Sequence, residues 1–159
     1  MTTTSTLGEV RPEHDNQPTP THVSLHYQRS YRQPILDVWS ACTDRTQLTR
    51  WLGKITGAHG NLSIDLLDGP TTAPIAIRVD HCAAPQELVL HIDGSLLEMR
   101  LSRIGVVTTI ELVRRHLTPA KATTIGPRWQ YLLDRLDAYL DYRDLPRWSD
   151  YPELAAEYR

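Results

Sequence analysis

Apolar and polar residues begin to alternate near His22. Val23, Leu25 and Tyr27 alternate with Ser24, His26 and Gln28, the period of two that marks a half-buried strand. Pro34 then takes a favourable first-turn position, and Ile35, Val38, Trp39 and Cys42 recur at i, i+3, i+4 and i+7, which predicts a short amphipathic helix. Asp44, with Gln47 three residues on, has the form of a capping box. It opens a second helix carrying Leu48, Trp51 and Leu52, with Gly53 as its stop.

From Asn61 to Leu117 strand follows strand, and the turns set a register. Asp93-Gly94 is a two-residue hairpin signal that places Ile92 opposite Ser95, Leu90 opposite Leu97 and Leu88 opposite Met99. A turn over Ala83 to Gln86 sets Val79 against Leu90, Ile77 against Ile92, and His81 against Leu88. A loop from Ser102 to Gly105 sets Leu101 against Val106, Met99 against Thr108 and Leu97 against Ile110. A longer loop around Asp68-Gly69-Pro70 brings Leu62, Ile64 and Leu66 to Val79, Ile77 and Ile75. Opposed residues share a face, so these turns put one apolar set inward. Asp65, Arg78, Asp80, Glu87, Glu98, Arg100 and Glu111 fall on the other face, with Glu87 opposite Arg100. Such an antiparallel meander has one wet face and one covered face.

The cover comes from the C-terminal part of the chain. Gly126-Pro127 reads as the start of a helix in which Trp129, Leu132, Leu133, Leu136 and Leu140 form an apolar stripe, with Arg128, Asp134, Arg135, Asp137 and Asp141 mostly off it. A long helix against a curved antiparallel sheet of five to seven strands, with two short helices after the first strand, is an α+β helix-grip arrangement. Residues 1–21, with almost nothing apolar after Val10, read as a disordered N-terminal tail, residues 22–142 as the domain, and residues 143–159 as an extension. That extension carries Trp148, Tyr151, Leu154 and Tyr158. It forms either a short helix packed on the domain or a tail that docks a protein partner.

Composition removes several classes of function. The chain has 159 residues, enough for one core, with 40% hydrophobic residues, 23% charged residues and a net charge of -2. Nucleic acid as the main partner calls for a basic field that this balance does not provide. No apolar run approaches the roughly 18 residues of a membrane span, and MTTTSTLGEV lacks the basic and apolar regions of a secretory leader. Cys42 and Cys82 are too few for a disulfide framework. A cytoplasmic domain without cofactor, monomeric or weakly dimeric, is the expectation.

The order of elements and several motifs resemble a known family. The stretch from Pro34 to Gly53, PILDVWSACTDRTQLTRWLG, is similar to the pattern P-x-x-x-V-W-x-x-x-T-D-x-x-x-L-x-x-W. IELVRRHL, from Ile110 to Leu117, is similar to its last strand, and GPRWQYLLDRLDAYL, from Gly126 to Leu140, to its terminal helix. These are features of the bacterial homologues of the activator of heat-shock protein 90 ATPase, within the START-like (SRPBCC) helix-grip superfamily, and the resemblance covers about residues 22–142. Departures from the pattern include Arg32-Gln33 before the first helix, Arg45 where Pro is frequent, and His91 or Ile92 where Trp is common. The resemblance implies an internal apolar cavity between sheet and long helix, able to hold a lipid-like or aromatic molecule. It does not imply chaperone activation.

Acid–base chemistry requires titratable groups in a dry pocket. The expected register points His81, His116 and Arg114 inward. For His81, near a strand end, a histidine bonded to backbone or water is the ordinary reading. His116, close to the start of the terminal helix, is the better candidate for touching a ligand. No metal site is expected. His22 and His26 lie about 13 Å apart along a strand at ~3.3 Å per residue, and His81 and His91 fall on opposite faces. Trp51 and Trp129 belong to core stripes and could also stack on a ligand at the cavity mouth. The candidate cavity residues are therefore Trp51, His81, Leu90, Met99, Thr108, His116, Trp129 and Leu133. Three functions fit: binding of a hydrophobic small molecule, cyclase or dehydratase chemistry on such a molecule, and protein interaction of a chaperone or stress-linked kind through the outer sheet face or residues 143–159.

Overall fold

In the computed structural model, which describes residues 8–13, 22–58, 60–70, 73–92 and 94–158, the alternating segments form a single antiparallel sheet of eight strands. The strands are β1 (Glu9–Pro12), β2 (Val23–Tyr31), β3 (Gly53–Ala58), β4 (Asn61–Leu66), β5 (Ile75–Ala83), β6 (Glu87–Ile92), β7 (Ser95–Ile104) and β8 (Val107–Leu117), in the spatial order β1-β2-β8-β7-β6-β5-β4-β3. Two short helices, α1 (Ile35–Thr43) and α2 (Arg45–Trp51), join β2 to the opposite edge strand β3. A long helix, α3 (Pro119–Leu140), lies against the inner face of the sheet. The fold is α+β helix-grip.

The eight strands are one more than the upper end of the expected five to seven, and two of them, β3 and β1, were not foreseen. β3 has a single Ile among its six residues, so no apolar alternation announces it. Gly53 does not stop α2 but opens this strand. A Cβ there would lie 2.1 Å from the Asp65 carbonyl oxygen, so the pairing with β4 requires glycine. β1 corrects the expectation of an unstructured tail at residues 8–13, where Val10 pairs with Leu25 of β2; residues 1–7 and 14–21 of that tail lie outside the described residues.

The registers of β5–β6 from Ile77 to Val79 and of β6–β7 are as expected, including Glu87 opposite Arg100; Asp93 of the hairpin signal lies outside the described residues. Two other registers differ by even steps. Leu62 pairs with Ile77 and Ile64 with Ile75. Between β7 and β8 a tight turn at Gly105 (φ 60°) and Val106 sets Leu101 against Ile110, Met99 against Leu112 and Leu97 against Arg114. An even shift leaves every side chain on its own face, so the inward set survives.

The helices refine the expected ends. Pro34 caps α1 from outside it. Asp44 accepts from the Thr46 N–H at the start of α2, while Gln47 Oε1 accepts from Tyr139 O–H on α3 instead of closing a capping box. α3 begins at Pro119, with the Thr118 hydroxyl accepting from Lys121 N–H, so Gly126 and Pro127 are interior residues, not its start. Beyond it, residues 143–158 fold back in two 3-10 turns, Trp148–Asp150 and Pro152–Tyr158. Tyr158 O–H reaches Gln130, Tyr151 O–H reaches Asp134, and Tyr131, fully buried, sits in edge contact with Trp148 and Tyr151. The extension is a strap over the back of α3.

Candidate functional site

Inward residues of β4 to β8 and the apolar stripe of α3 do not meet everywhere. Between them lies a cavity of about 310 Å³ walled by leucine, isoleucine, valine, methionine and tryptophan. α2 contributes Leu48 and Trp51, whose indole N–H is satisfied by the Ala41 carbonyl at 2.9 Å, so the ring presents only its apolar body. The sheet contributes Ile64, Ile77, Leu90, Met99 and Leu112, and α3 contributes Trp129, Leu132, Leu133 and Leu136. The polar members of the lining are confined to Cys42, Thr43, Arg45 and Cys82. Burial pushes the Cys42 thiol up to about 12, so it stays protonated.

Of the residues singled out from sequence, Trp51, Leu90, Met99, Trp129 and Leu133 line this cavity together. His81, Thr108 and His116 do not, and each departure has a local cause. A bulge between Val79 and His81 pairs His81 with Val89, not Leu88; it is exposed, away from the inner face, and Cys82 takes the inward place opposite Leu88. A second irregularity, where Leu25 and Val23 of β2 pair with Arg114 and Leu117, turns His116 outward with φ 61°. Its N–H and Nδ1 meet the Glu13 carboxylate at 2.7 and 2.9 Å. Thr108 is buried beside the β2–α1 connection, where its hydroxyl donates to the Gln33 carbonyl. The period-two rule that made both histidines inward fails at the extra residue of each bulge.

Among the residues not foreseen in that role are Cys42 and Cys82, and Arg114 at the border of the adjoining hollow. Cys42 stood on the α1 stripe, so its signal was present; Cys82 depends on the bulge, which nothing in the sequence announces. Arg114 was read as inward but not as part of the site. It is 2% exposed on the inner face of β8, with Nη2 donating to Ser95 Oγ and the guanidinium 5.6 Å from the centre of the Trp129 ring.

Arg114 borders a second, wider hollow of about 890 Å³ that shares Leu62, Leu66, Ile75, Ile77, Ile92 and Trp129 with the cavity and forms its vestibule. Arg78, His91 and Arg128 also line it. On the outer face Asp80 takes Arg78 Nε at 2.7 Å and His91 Nδ1 at 2.8 Å, and these bonds hold its carboxyl down at about 2. Among the described residues no group of three or more His, Cys, Asp or Glu is placed to hold a metal ion. No helix there is long and apolar enough to cross a membrane.

No family model matches the sequence, and no curated protein sequence does. Solved structures do match. CalU16 from Micromonospora echinospora superposes with a TM-score of 0.69 at 23% identity, covering 94% of each chain. DynU16, from the dynemicin biosynthetic locus, gives 0.62 at 21% identity over 74% of this chain and 47% of its own. The Aha1 dimer from Colwellia psychrerythraea gives 0.63 at 12% identity over 74% of this chain and 95% of its own. These proteins have the SRPBCC helix-grip fold, and at such identities the likeness is one of fold.

Proposed function

We propose that this protein is a non-enzymatic binding module that holds one apolar small molecule, lipid-like or aromatic, between its sheet and α3. The observation that carries the reading is the continuity of the apolar lining from Ile64 and Ile77 through Met99 and Leu112 to Leu133 and Leu136. An apolar hollow left unfilled forfeits dispersion contacts at about 24 cal/mol per Å³, so occupation by a matching apolar body is favoured. Cyclase or dehydratase chemistry would need acid–base groups in that space, and His81 and His116 face away from it. Chaperone or stress-linked docking through residues 143–159 finds little support, because Tyr151 and Tyr158 are already engaged with α3. The fold of DynU16, which comes from a biosynthetic locus, supports a small molecule as cargo. Kinship with the bacterial homologues of the heat-shock protein 90 ATPase activator belongs to the same proposal, supported by the Val38-Trp39 and Trp51-Leu52 pairs and the fold of the Aha1 dimer.

The test is a thermal-shift screen with fatty acids, sterols and aromatic polyketides. A ligand at a hundredfold over its Kd should raise Tm by about 5–10 °C for a domain of this size. Met99→Trp, which places an indole in the cavity, and Trp129→Ala, which removes one of its walls, should each abolish that rise. No rise with any class in the wild-type protein contradicts the reading.

A further inference from the structure

We propose that the ligand is an amphiphile with an anionic head, its apolar body in the cavity and its head group at the vestibule beside Arg128. This rests on the reading above and adds the charge of the ligand to it. Among the described residues that line the vestibule none is a carboxylic acid; Arg114 and Arg128 border it from β8 and α3, while Arg78 and His91 border it from a pair of sheet positions whose side chains lie on the outer face. Arg78 and His91 are tied to Asp80. Arg128 differs from them: half-buried in the first half of α3, it forms no ion pair with any described residue.

Arg128 is the chain neighbour of Trp129, and Leu132 follows one helical turn later. Trp129 and Leu132 line the cavity and the vestibule alike, so the cation stands where the apolar lining opens. Arg114 lies across the same indole, its guanidinium 5.6 Å from the ring centre. A molecule seated with its chain against Leu133 and Met99 thus emerges past Trp129 into a region bordered by guanidinium groups. A guanidinium offers a planar fork that matches a carboxylate and stays charged at every physiological pH. Beside a low-dielectric wall its attraction for an anion exceeds that of a free surface arginine, and the same field repels a cationic head.

The experiment uses a matched set, dodecanoate, dodecanol and dodecylamine, titrated into the full chain at pH 7.5 and followed by tryptophan fluorescence. Dodecanoate is expected to bind at least about tenfold more tightly than dodecanol, and dodecylamine most weakly. Arg128→Gln should cut the acid-over-alcohol preference about tenfold, and Arg128→Glu should invert the order so that the amine is preferred to the acid. Circular dichroism of both variants checks that they fold. Equal binding of acid and alcohol by the wild-type protein, or an acid preference that survives Arg128→Glu, overturns the proposal. If none of the three binds while the wider panel yields a ligand, this proposal falls and the cavity reading stands; if nothing binds at all, both fall.

Discussion

Gly126 occupies a helix interior, where glycine ordinarily costs about 1 kcal/mol relative to alanine. The Tyr158 ring explains its presence, because a Cβ at that position would lie 2.4 Å from two of the ring carbons. The ring is held in place. Tyr158 O–H donates to Gln130, and its oxygen accepts from Gly8 N–H at 3.0 Å and from Tyr27 O–H. Gly126→Ala should therefore lower stability in urea denaturation by about 1–2 kcal/mol, overpacking outweighing the gain in helix propensity. In a Tyr158→Ala background the same change should become stabilising. A wild-type background in which Gly126→Ala stabilises would falsify this account of the close approach. At the same scale, Arg29 is a charge buried on the inner face of β2 and paired with Asp134 and Asp137 of α3, which ties the sheet to the helix without entering the cavity lining.

The strap after α3 acts as an element because one carboxylate links three parts of the chain. Asp68, just past β4, accepts from Trp148 N–H and from Tyr131 O–H, each at 2.8 Å, and Arg135 donates to the carbonyls of Trp51 and Pro146. The Trp148 and Tyr131 bonds hold the Asp68 carboxyl below its ordinary value of 3.8. A lowered carboxylate pKa gives stability that is present above the ordinary value and is lost as pH falls through the lowered one. Asp68→Ala should cost about 1 kcal/mol at neutral pH and flatten the acid limb of the urea midpoint below pH 4. An unchanged acid limb contradicts the tie. This polar network was only partly legible in the sequence. Arg135 and Asp134 looked like the solvated side of an amphipathic helix, and the burial of Arg135 and half-burial of Asp134 follow in part from an extension whose docking no periodicity encodes. The early start of α3 had a local signal in Thr118-Pro119, outweighed by the stronger look of Gly126-Pro127. β1 and β3 gave no signal, being short and holding one large apolar residue each, Val10 and Ile55.

At the scale of the whole molecule, the face of the sheet that bounds the cavity was legible and the exact pairing less so. Side chains in strands repeat every two residues, so register errors of two and four residues left Leu62, Met99 and Ile110 inward. A one-residue bulge has the opposite effect, and two of them removed His81 and His116 from the site while bringing Cys82 in. What remains is an apolar hollow closed by α3, and one atom group reports on it directly. The chain has two methionines, Met1 and Met99, and Met99 is buried in the lining. With methyl-labelled methionine, NMR of the protein saturated with the best ligand of the panel should shift the Met99 methyl signal and show intermolecular NOEs from it to the ligand's apolar protons. A ligand that raises Tm yet leaves the Met99 methyl unshifted and without such NOEs binds elsewhere, and contradicts the account.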